Sequence, residues 1–504
     1  MAIKIGWGRR EFSTNEPVMI PGQMHMRISK GIMDPLYVTA LCVEGEQAVI
    51  FVSADIISIS QTMLELTQEM LTKQRPDIPW ESVIFNATHT HASVVLYETV
   101  TESPDGKKIF PGMLMAEHFS RMAVEAICEA WDSRKEGGIG YGYGYAVVGH
   151  CRRVVYFKEQ QLEKVKAGER QFMTPPGYAV MYGKTNDPLF SHLEAGADHF
   201  LNLMFTFDEG KKLTGIVVNV PCPSQVGGQL EVLSADYWAD VRQLVADEFG
   251  PEVYVLPQCA AAGDLAPHMV HYRKAQVRRM SLKYGQPYEA GQIKNNNEYY
   301  FIDVKARRRD MAEQILLGIR DVYSWAKKDI QTDVAVRCRA VDIPMDRRKV
   351  SQEDKAWCEE NLELLAQMTP SPEGLTDDEY RKALTTHNSR VNRNKRGIER
   401  YELAKNEPQM PTRSWIVQIG DIAFATTRFE LYQDFMHRLQ ARSPFIQTFV
   451  IQLAGDSGTT YLATQRAIEA KGYSASMFCN SADAEGGQQW VEKALQTLQE
   501  MKEE

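Results

Sequence analysis

The stretch Ser82-Val-Ile-Phe-Asn-Ala-Thr-His-Thr-His91 opens as a short apolar run and closes in a polar, turn-prone cluster. β-Branched and aromatic residues giving way to Asn and Thr mark a strand that leads into a loop. The pattern recurs four times. Gly215-Ile-Val-Val-Asn-Val220 precedes Pro-Cys-Pro-Ser-Gln225, and Val253-Tyr-Val-Leu256 precedes Pro-Gln-Cys-Ala-Ala-Ala-Gly-Asp264. Ile422-Ala-Phe-Ala-Thr-Thr427 precedes Arg-Phe-Glu-Leu-Tyr432, and Phe449-Val-Ile-Gln-Leu453 precedes Ala-Gly-Asp-Ser-Gly-Thr-Thr-Tyr461. Ligands of α/β proteins bind outside the carboxyl ends of the strands. Parallel strands would bring the five clusters to one edge, whereas mixed directions would scatter them.

Between these strands lie segments of helical periodicity at residues 61–74, 113–131, 239–249, 310–328, 351–368 and 488–501. Residues 137–145, Gly-Gly-Ile-Gly-Tyr-Gly-Tyr-Gly-Tyr, read as a strand whose glycines permit close backbone approach; no helix opens after them, so they do not form a nucleotide loop. The alternation predicts an α/β fold with a mixed β-sheet core and surrounding helices. A single large catalytic domain is expected over residues 1–504. Within it, residues 267–410 hold 27 basic and 22 acidic side chains and read as a basic, helix-rich insertion or subdomain. Such a region is able to present arginines to an anionic ligand, although solvated helix faces account for most charge runs of this kind.

Composition narrows the function. The 504 residues are 44% hydrophobic and 24% charged, a globular balance, and the net charge of -9 argues against a nucleic-acid partner. No stretch has the length and apolarity of a membrane span or signal peptide, which predicts no membrane partner. The eight cysteines are scattered without a CxxC pair, as expected for free thiols and a cytoplasmic location. A small-molecule substrate, possible assembly into a homo-oligomer, and an enzyme are the expectations.

The sharpest local signal is Thr88-His89-Thr90-His91. In extended backbone the side-chain period is two, so both imidazoles would leave one face and begin a zinc or other transition-metal site. A hydrogen-bonded turn is the plainer account of an HxH, and no HExxH supports the metal. Glu430 follows a strand where a helix is expected to begin; it suits either a cation or the helix dipole. Asp264 suits either a histidine partner or a turn cap, and Tyr461 and Tyr473 read as packing residues by spacing alone.

Taken in order, Asn86-Ala-Thr-His-Thr-His91, Gly263-Asp264 with Pro267, the Glu430 segment after Ile419-Gly-Asp421, and Thr460-Tyr461-Leu-Ala-Thr464 resemble the neutral/alkaline ceramidase-like family from about residue 21 to 495. Neutral ceramidases are zinc amidases that release the fatty acyl chain from sphingosine. The resemblance implies a divalent metal, zinc first, with His89, Glu430 and Tyr461 as ligands. It also implies His91 as an acid/base or supporting histidine, with Arg152 and Tyr473 binding substrate or stabilising charge.

Three departures qualify it. The family's second ligand histidine falls in Val220-Pro-Cys-Pro-Ser-Gln225, which has none, so Cys222, Gln225 or His91 would have to substitute. The family's Gly-Asp-x-Ser-Pro serine is Ala266 here. No counterpart of the ceramidase immunoglobulin-like domain or secretion signal is expected. The resemblance therefore implies a divergent metal-dependent hydrolase of a small polar or acidic molecule, carbohydrate or amide, and not of ceramide. His91 would move a proton, Arg152 and Tyr473 would meet the developing oxyanion, and Asp264 would assist. Two alternatives stand beside it: a lyase acting on a uronic-acid-containing oligosaccharide, and a non-catalytic binding protein on a degenerate scaffold.

Overall fold

A computed structural model describes residues 2–168, 170–285, 303–458 and 460–504. Among these, eight strands form the larger sheet: β1 (Lys4–Glu11), β2 (Tyr37–Glu44), β3 (Ala48–Ala54), β4 (Val83–Ala87), β5 (Lys135–Tyr145), β6 (Phe200–Asp208), β7 (Leu213–Val220) and β8 (Tyr254–Cys259). Their order is β8-β7-β6-β5-β1-β2-β3-β4. The ladders β3/β4 and β7/β8 are parallel and the rest antiparallel. A second sheet has the order β9-β10-β11-β12, from Val336–Asp346, Gln409–Ile419, Ile422–Thr427 and Gln447–Gln452. Fold class and mixed sheet match the sequence reading.

The two sheets face each other across an apolar layer in which Phe424 lies 4.9 Å from Phe51 and 4.5 Å from Phe449, ring centre to ring centre. Helices cover both outer faces. Gly112–Asp132 lies on β1 and β2, Val304–Ala326 on β5 and β6, and Ala484–Glu503 on β9 and β10. Each is amphipathic, so the layering α/β/β/α buries both faces of both sheets. The glycines of β5 do what their spacing suggested. A Cβ at Gly144 would sit 3.0 Å from Gly318 O, and one at Gly140 2.9 Å from Ala326 O. Only glycine lets the helix backbone come this close.

Strand direction is mixed, yet the polar strand ends converge. Neighbouring strands rotate by about 20–25°. Seven steps across the eight-stranded sheet accumulate to roughly 140–175°, which nearly reverses direction between its edges. The sheet also curls across its strands, so that β8 packs against β2, β3 and β4. Ser53 Oγ and Asn86 Nδ2 both donate to Pro257 O, at 2.6 and 3.0 Å. Twist and curl achieve what parallel strands would have achieved.

Residues 267–410 are spread over the fold. Val304–Ala326 is part of the helical cover and Val336–Asp346 is a strand of the second sheet. The helix Arg273–Tyr284 packs on that helical cover, and the helical hairpin of Gln352–Ala366 and Asp377–Asn406 stands outside the two sheets. Residues 286–302 of that expected insertion lie outside the described residues. The 30-residue helix Asp377–Asn406 was not legible as one unit because its apolar residues are few; it opens on a capping box between Thr376 and Glu379. No described helix is long and apolar enough to cross a membrane. All eight cysteines are free thiols.

Candidate active site

Beyond β4 the chain stays paired to the segment that follows β3, as Thr88 N donates to Ala54 O and His89 N to Ile56 O, both at 3.0 Å. His89 itself has φ +62°, so it is not extended. The face-sharing argument for His89 and His91 is thereby replaced: the two rings sit edge-to-face, 5.0 Å apart, because the backbone turns between them. A left-handed non-glycine residue stores strain that the surroundings must hold, and such residues cluster at functional sites. His89 Nδ1 lies 2.6 Å from Ile57 O and so carries the proton there. This turns the buried Nε2 toward Glu430, whose Oε2 is 3.2 Å away.

Glu430 is not in a helical first turn, as expected from its sequence; the helix begins at Gln433. Glu430–Leu431 instead pairs in parallel with Tyr461–Leu462, which sets the Glu430 carboxylate beside the Tyr461 hydroxyl. Gln452 Oε1 fastens this seam, accepting from Ala262 N at 2.9 Å and Leu431 N at 3.0 Å.

Arg152 enters the same space, fully buried. Its Nη2 donates to Gly263 O at 2.8 Å and Tyr461 Oη at 3.2 Å, and stands 3.7 Å from Glu430 Oε2; Nη1 reaches Gln225 Oε1 at 3.4 Å. Burial alone would push the Glu430 carboxyl up, but His89, Arg152 and Tyr461 hold it below its ordinary value. Burial, then the neighbouring carboxylate, pushes the Tyr461 phenol far up, so it keeps its proton.

His91 is half-buried. Its Nε2 lies 2.7 Å from Gln225 Nε2, which donates to it, and burial followed by the nearby His89, Arg27 and Arg152 keeps the imidazole neutral. Tyr473 packs edge-to-face on Tyr461 with ring centres 6.2 Å apart. Thus His89, His91, Arg152, Gln225, Glu430, Tyr461 and Tyr473 form one cluster at the meeting of the five polar strand ends.

Two predicted residues stand apart. The Cys222 thiol is taken up by backbone, donating to Val148 O at 3.5 Å and Pro223 O at 3.6 Å, and among the described residues contributes no contact to the cluster. Asp264 sits behind the cluster: its carboxylate accepts from Gln433 N at 3.2 Å and Gln433 Nε2 at 3.0 Å, so it caps a helix while its backbone O accepts from Arg152 N at 3.1 Å. Burial pushes the Asp264 carboxyl up to about 6. A group whose folded pKa is raised stabilises below its unfolded pKa, and that contribution is lost as pH rises through the folded one. Compared with Asp264→Asn, the natural protein should lose roughly 1–3 kcal/mol of stability between pH 4 and 6, read from urea midpoints at each pH.

No protein-family model matches the sequence, and no curated protein matches it. Solved structures do. The crystal structure of neutral ceramidase from Pseudomonas aeruginosa superposes with a TM-score of 0.65 at 14% identity, over 99% of this chain and 75% of that one. A ceramidase complexed with C2 superposes at 0.64 and 13%, over 100% and 76%. The fold is that of neutral ceramidase.

On the ceramidase fold, the donors fit a divalent ion in one respect that the structure itself supplies. Two ligands each about 2.0–2.1 Å from a tetrahedral ion lie about 3.3 Å apart. His89 Nε2 and Glu430 Oε2 are 3.2 Å apart, an ion-pair contact of that same spacing. Tyr461 would have to be the third donor, since among the described residues no group of three His, Cys, Asp or Glu side chains converges. Arg27 and Arg393 also reach the cluster, and sequence reasoning missed both. Arg27 Nη2 donates to His91 O at 2.7 Å, and Arg393 Nη2 to Tyr473 Oη at 2.8 Å. Arg393 lies in the basic run 390–400, where nothing separates an inward arginine from its solvated neighbours.

Proposed function

We propose that this ceramidase-fold protein is a metal-dependent hydrolase, zinc being the first choice of metal, that acts on a small polar substrate. The observation that supports the reading most is the buried His89 Nε2, its ring locked through Nδ1 by Ile57 O, paired with a buried carboxylate at 3.2 Å. A ligand histidine held through its other nitrogen by a carbonyl is the usual supporting arrangement of a metal site. His89, Glu430 and Tyr461 would hold the ion, which when bound polarises the scissile bond and acidifies water.

The remaining chemistry belongs to side chains present in the chain. Arg152 is a fixed cation whose position requires no reorganisation as negative charge develops on the substrate. His91, neutral and half-buried, accepts a proton at Nε2 once the Gln225 amide gives way to substrate. Tyr473, at the partly exposed edge, donates to the same oxygen or to the leaving group. Ala266 is buried and supplies no hydroxyl, which is why ceramide amidase activity is not proposed.

Elemental analysis of the purified protein should find close to one zinc per chain, with His89→Ala losing it. N-acyl and ester substrates should be turned over by the natural protein only. Equal metal in both proteins would remove the ligand assignment, and no metal with retained ligand binding would leave a binding protein.

One observation favours elimination from a uronate as a second reading: Arg393 donates to the Tyr473 hydroxyl and partly offsets the burial that pushes this phenol up, placing a counter-charge beside a phenol used as a base. New ultraviolet absorbance from an unsaturated product would select it.

A further inference from the structure

The helix Asp377–Asn406 crosses the mouth of the site, tied down by Met26 N donating to Thr385 Oγ1 at 3.0 Å and by Ser389 Oγ donating to Met24 O at 2.5 Å. Four of its basic residues divide into two kinds; Arg400, also half-buried and without a carboxylate among the described residues, is met instead by the Met477 and Asn480 carbonyls. Arg381 and Lys382 are neutralised, the first by Asp105 and Asp378 and the second by Glu231 and Asp378. Arg390 and Arg393 are not: among the described residues no carboxylate lies within 4.0 Å of either guanidinium, although both are half-buried. Arg393 has only the Tyr473 hydroxyl at 2.8 Å and the Cys479 sulfur at 3.4 Å, with its guanidinium 4.8 Å from the Tyr473 ring centre. Arg390 Nε is buried and has no partner.

These two guanidiniums belong to a larger imbalance. Arg152 is buried at the same site, where Glu430 faces it but is shared with His89 and Tyr461; Arg27, which Glu231 faces, is buried beside it against the His91 carbonyl. Cations taken partly out of water without a counter-charge are costly unless a ligand supplies one. Spaced three residues apart, Arg390 and Arg393 share a helix face. Arg390 also borders, with His387 and Lys382, an open cavity of about 400 Å³ whose other wall is Leu365, Met368 and Pro370 and which Arg393 and Tyr473 do not line.

Building on the hydrolase reading, we infer that Arg393, supported by Arg390, receives the carboxylate of an acidic substrate, whose reacting bond then lies between Tyr473 and the His89–Glu430 pair. A carboxylate is favoured over a phosphate by the donors on offer. Phosphate sites gather backbone N–H groups at a helix N-terminus, whereas Arg390 and Arg393 lie well inside a helix that begins at Asp377 and offer planar side-chain forks that match a carboxylate. The substrate's charge, not its acyl chain, becomes the feature recognised.

Calorimetric titration with D-glucuronate, D-glucose and glucose 6-phosphate as probes tests this on the full chain. D-Glucuronate should bind at least tenfold more tightly than D-glucose. Arg393→Met should weaken D-glucuronate at least tenfold, and Arg390→Met less, with Arg438→Met, on the far helix, unchanged. His89→Ala should keep D-glucuronate binding while losing metal, which separates failure of this assignment from failure of the metal reading. Should Arg393→Met not fold, Arg393→Lys keeps the charge, loses the fork and should show a smaller loss. Equal binding of glucuronate and glucose, preference for glucose 6-phosphate, undiminished binding by folded Arg393 and Arg390 variants, or loss of binding in His89→Ala would each overturn the assignment.

Discussion

Arg152→Met is expected to lower the unfolding free energy by about 3–5 kcal/mol, the usual consequence of stripping one partner from a buried charge pair. Methionine fills much of the volume, so the loss is electrostatic and not a cavity. Left behind are Glu430 at 6% exposure, the Gly263 carbonyl and the Tyr461 hydroxyl, each short of a donor. Glu430→Gln alone should also destabilise, because the His89 side of the pair is lost. The double variant should cost less than the sum, with a coupling of about 0.5–3 kcal/mol. Glu430 has a depressed folded pKa, so its contribution is present above its ordinary value of 4.5 and fades as pH falls. The deficit of Arg152→Met should therefore be largest near neutral pH and shrink in acid. Urea unfolding at pH 4, 5 and 7 measures it; strict additivity of the two substitutions would mean the guanidinium does not carry the charge of Glu430. On any substrate found for the enzyme, turnover should fall about 10²–10³-fold.

Gly263→Ala is expected to cost about 3 kcal/mol, the upper end for overpacking, and to abolish metal binding although residue 263 is no ligand. A Cβ there would stand 2.4 Å from Glu430 O and 2.9 Å from Glu430 C. Both are backbone atoms of a segment pinned by Gly263 N donating to Leu431 O at 2.7 Å and by Gln452. No side chain is free to swing aside, so the Glu430 strand must move, and its carboxylate leaves His89. Gly196→Ala, where a Cβ meets nothing within 4 Å, should be close to neutral and serves as control. Denaturation midpoints and metal content of the three proteins decide the matter; a Gly263→Ala protein with full metal would show that the seam does not position Glu430.

The amphipathic helices and most strands of the two sheets were legible because period-2 and period-3.6 patterns are local. Gln61–Gln74 was bounded correctly, with Ser60 capping it through Met63 N at 3.1 Å. Strands β1, β2 and β9 and the helix Asp377–Asn406 were not found. Arg9 and Arg10 interrupt the apolar pattern of β1, and the polar exposed faces of the helix hide its few packing residues. Glu430 was assigned to a helix start since its neighbours permit one; the pairing with Tyr461 that makes it a short strand is a contact across 31 positions that no local pattern carries.

What the sequence determined by itself is the list of participants: a polar cluster after each of five strands, with two histidines, a carboxylate and two tyrosines among them. What only the tertiary structure decided is their meeting. The twist and curl of eight strands bring opposite edges onto one another, and the left-handed turn at His89 aims one nitrogen at Glu430. It also decided which arginines matter. Charge is a property of the residue, but whether that charge finds a counter-ion depends on which carboxylates the fold brings near, and around Arg390 and Arg393 it brings none among the described residues.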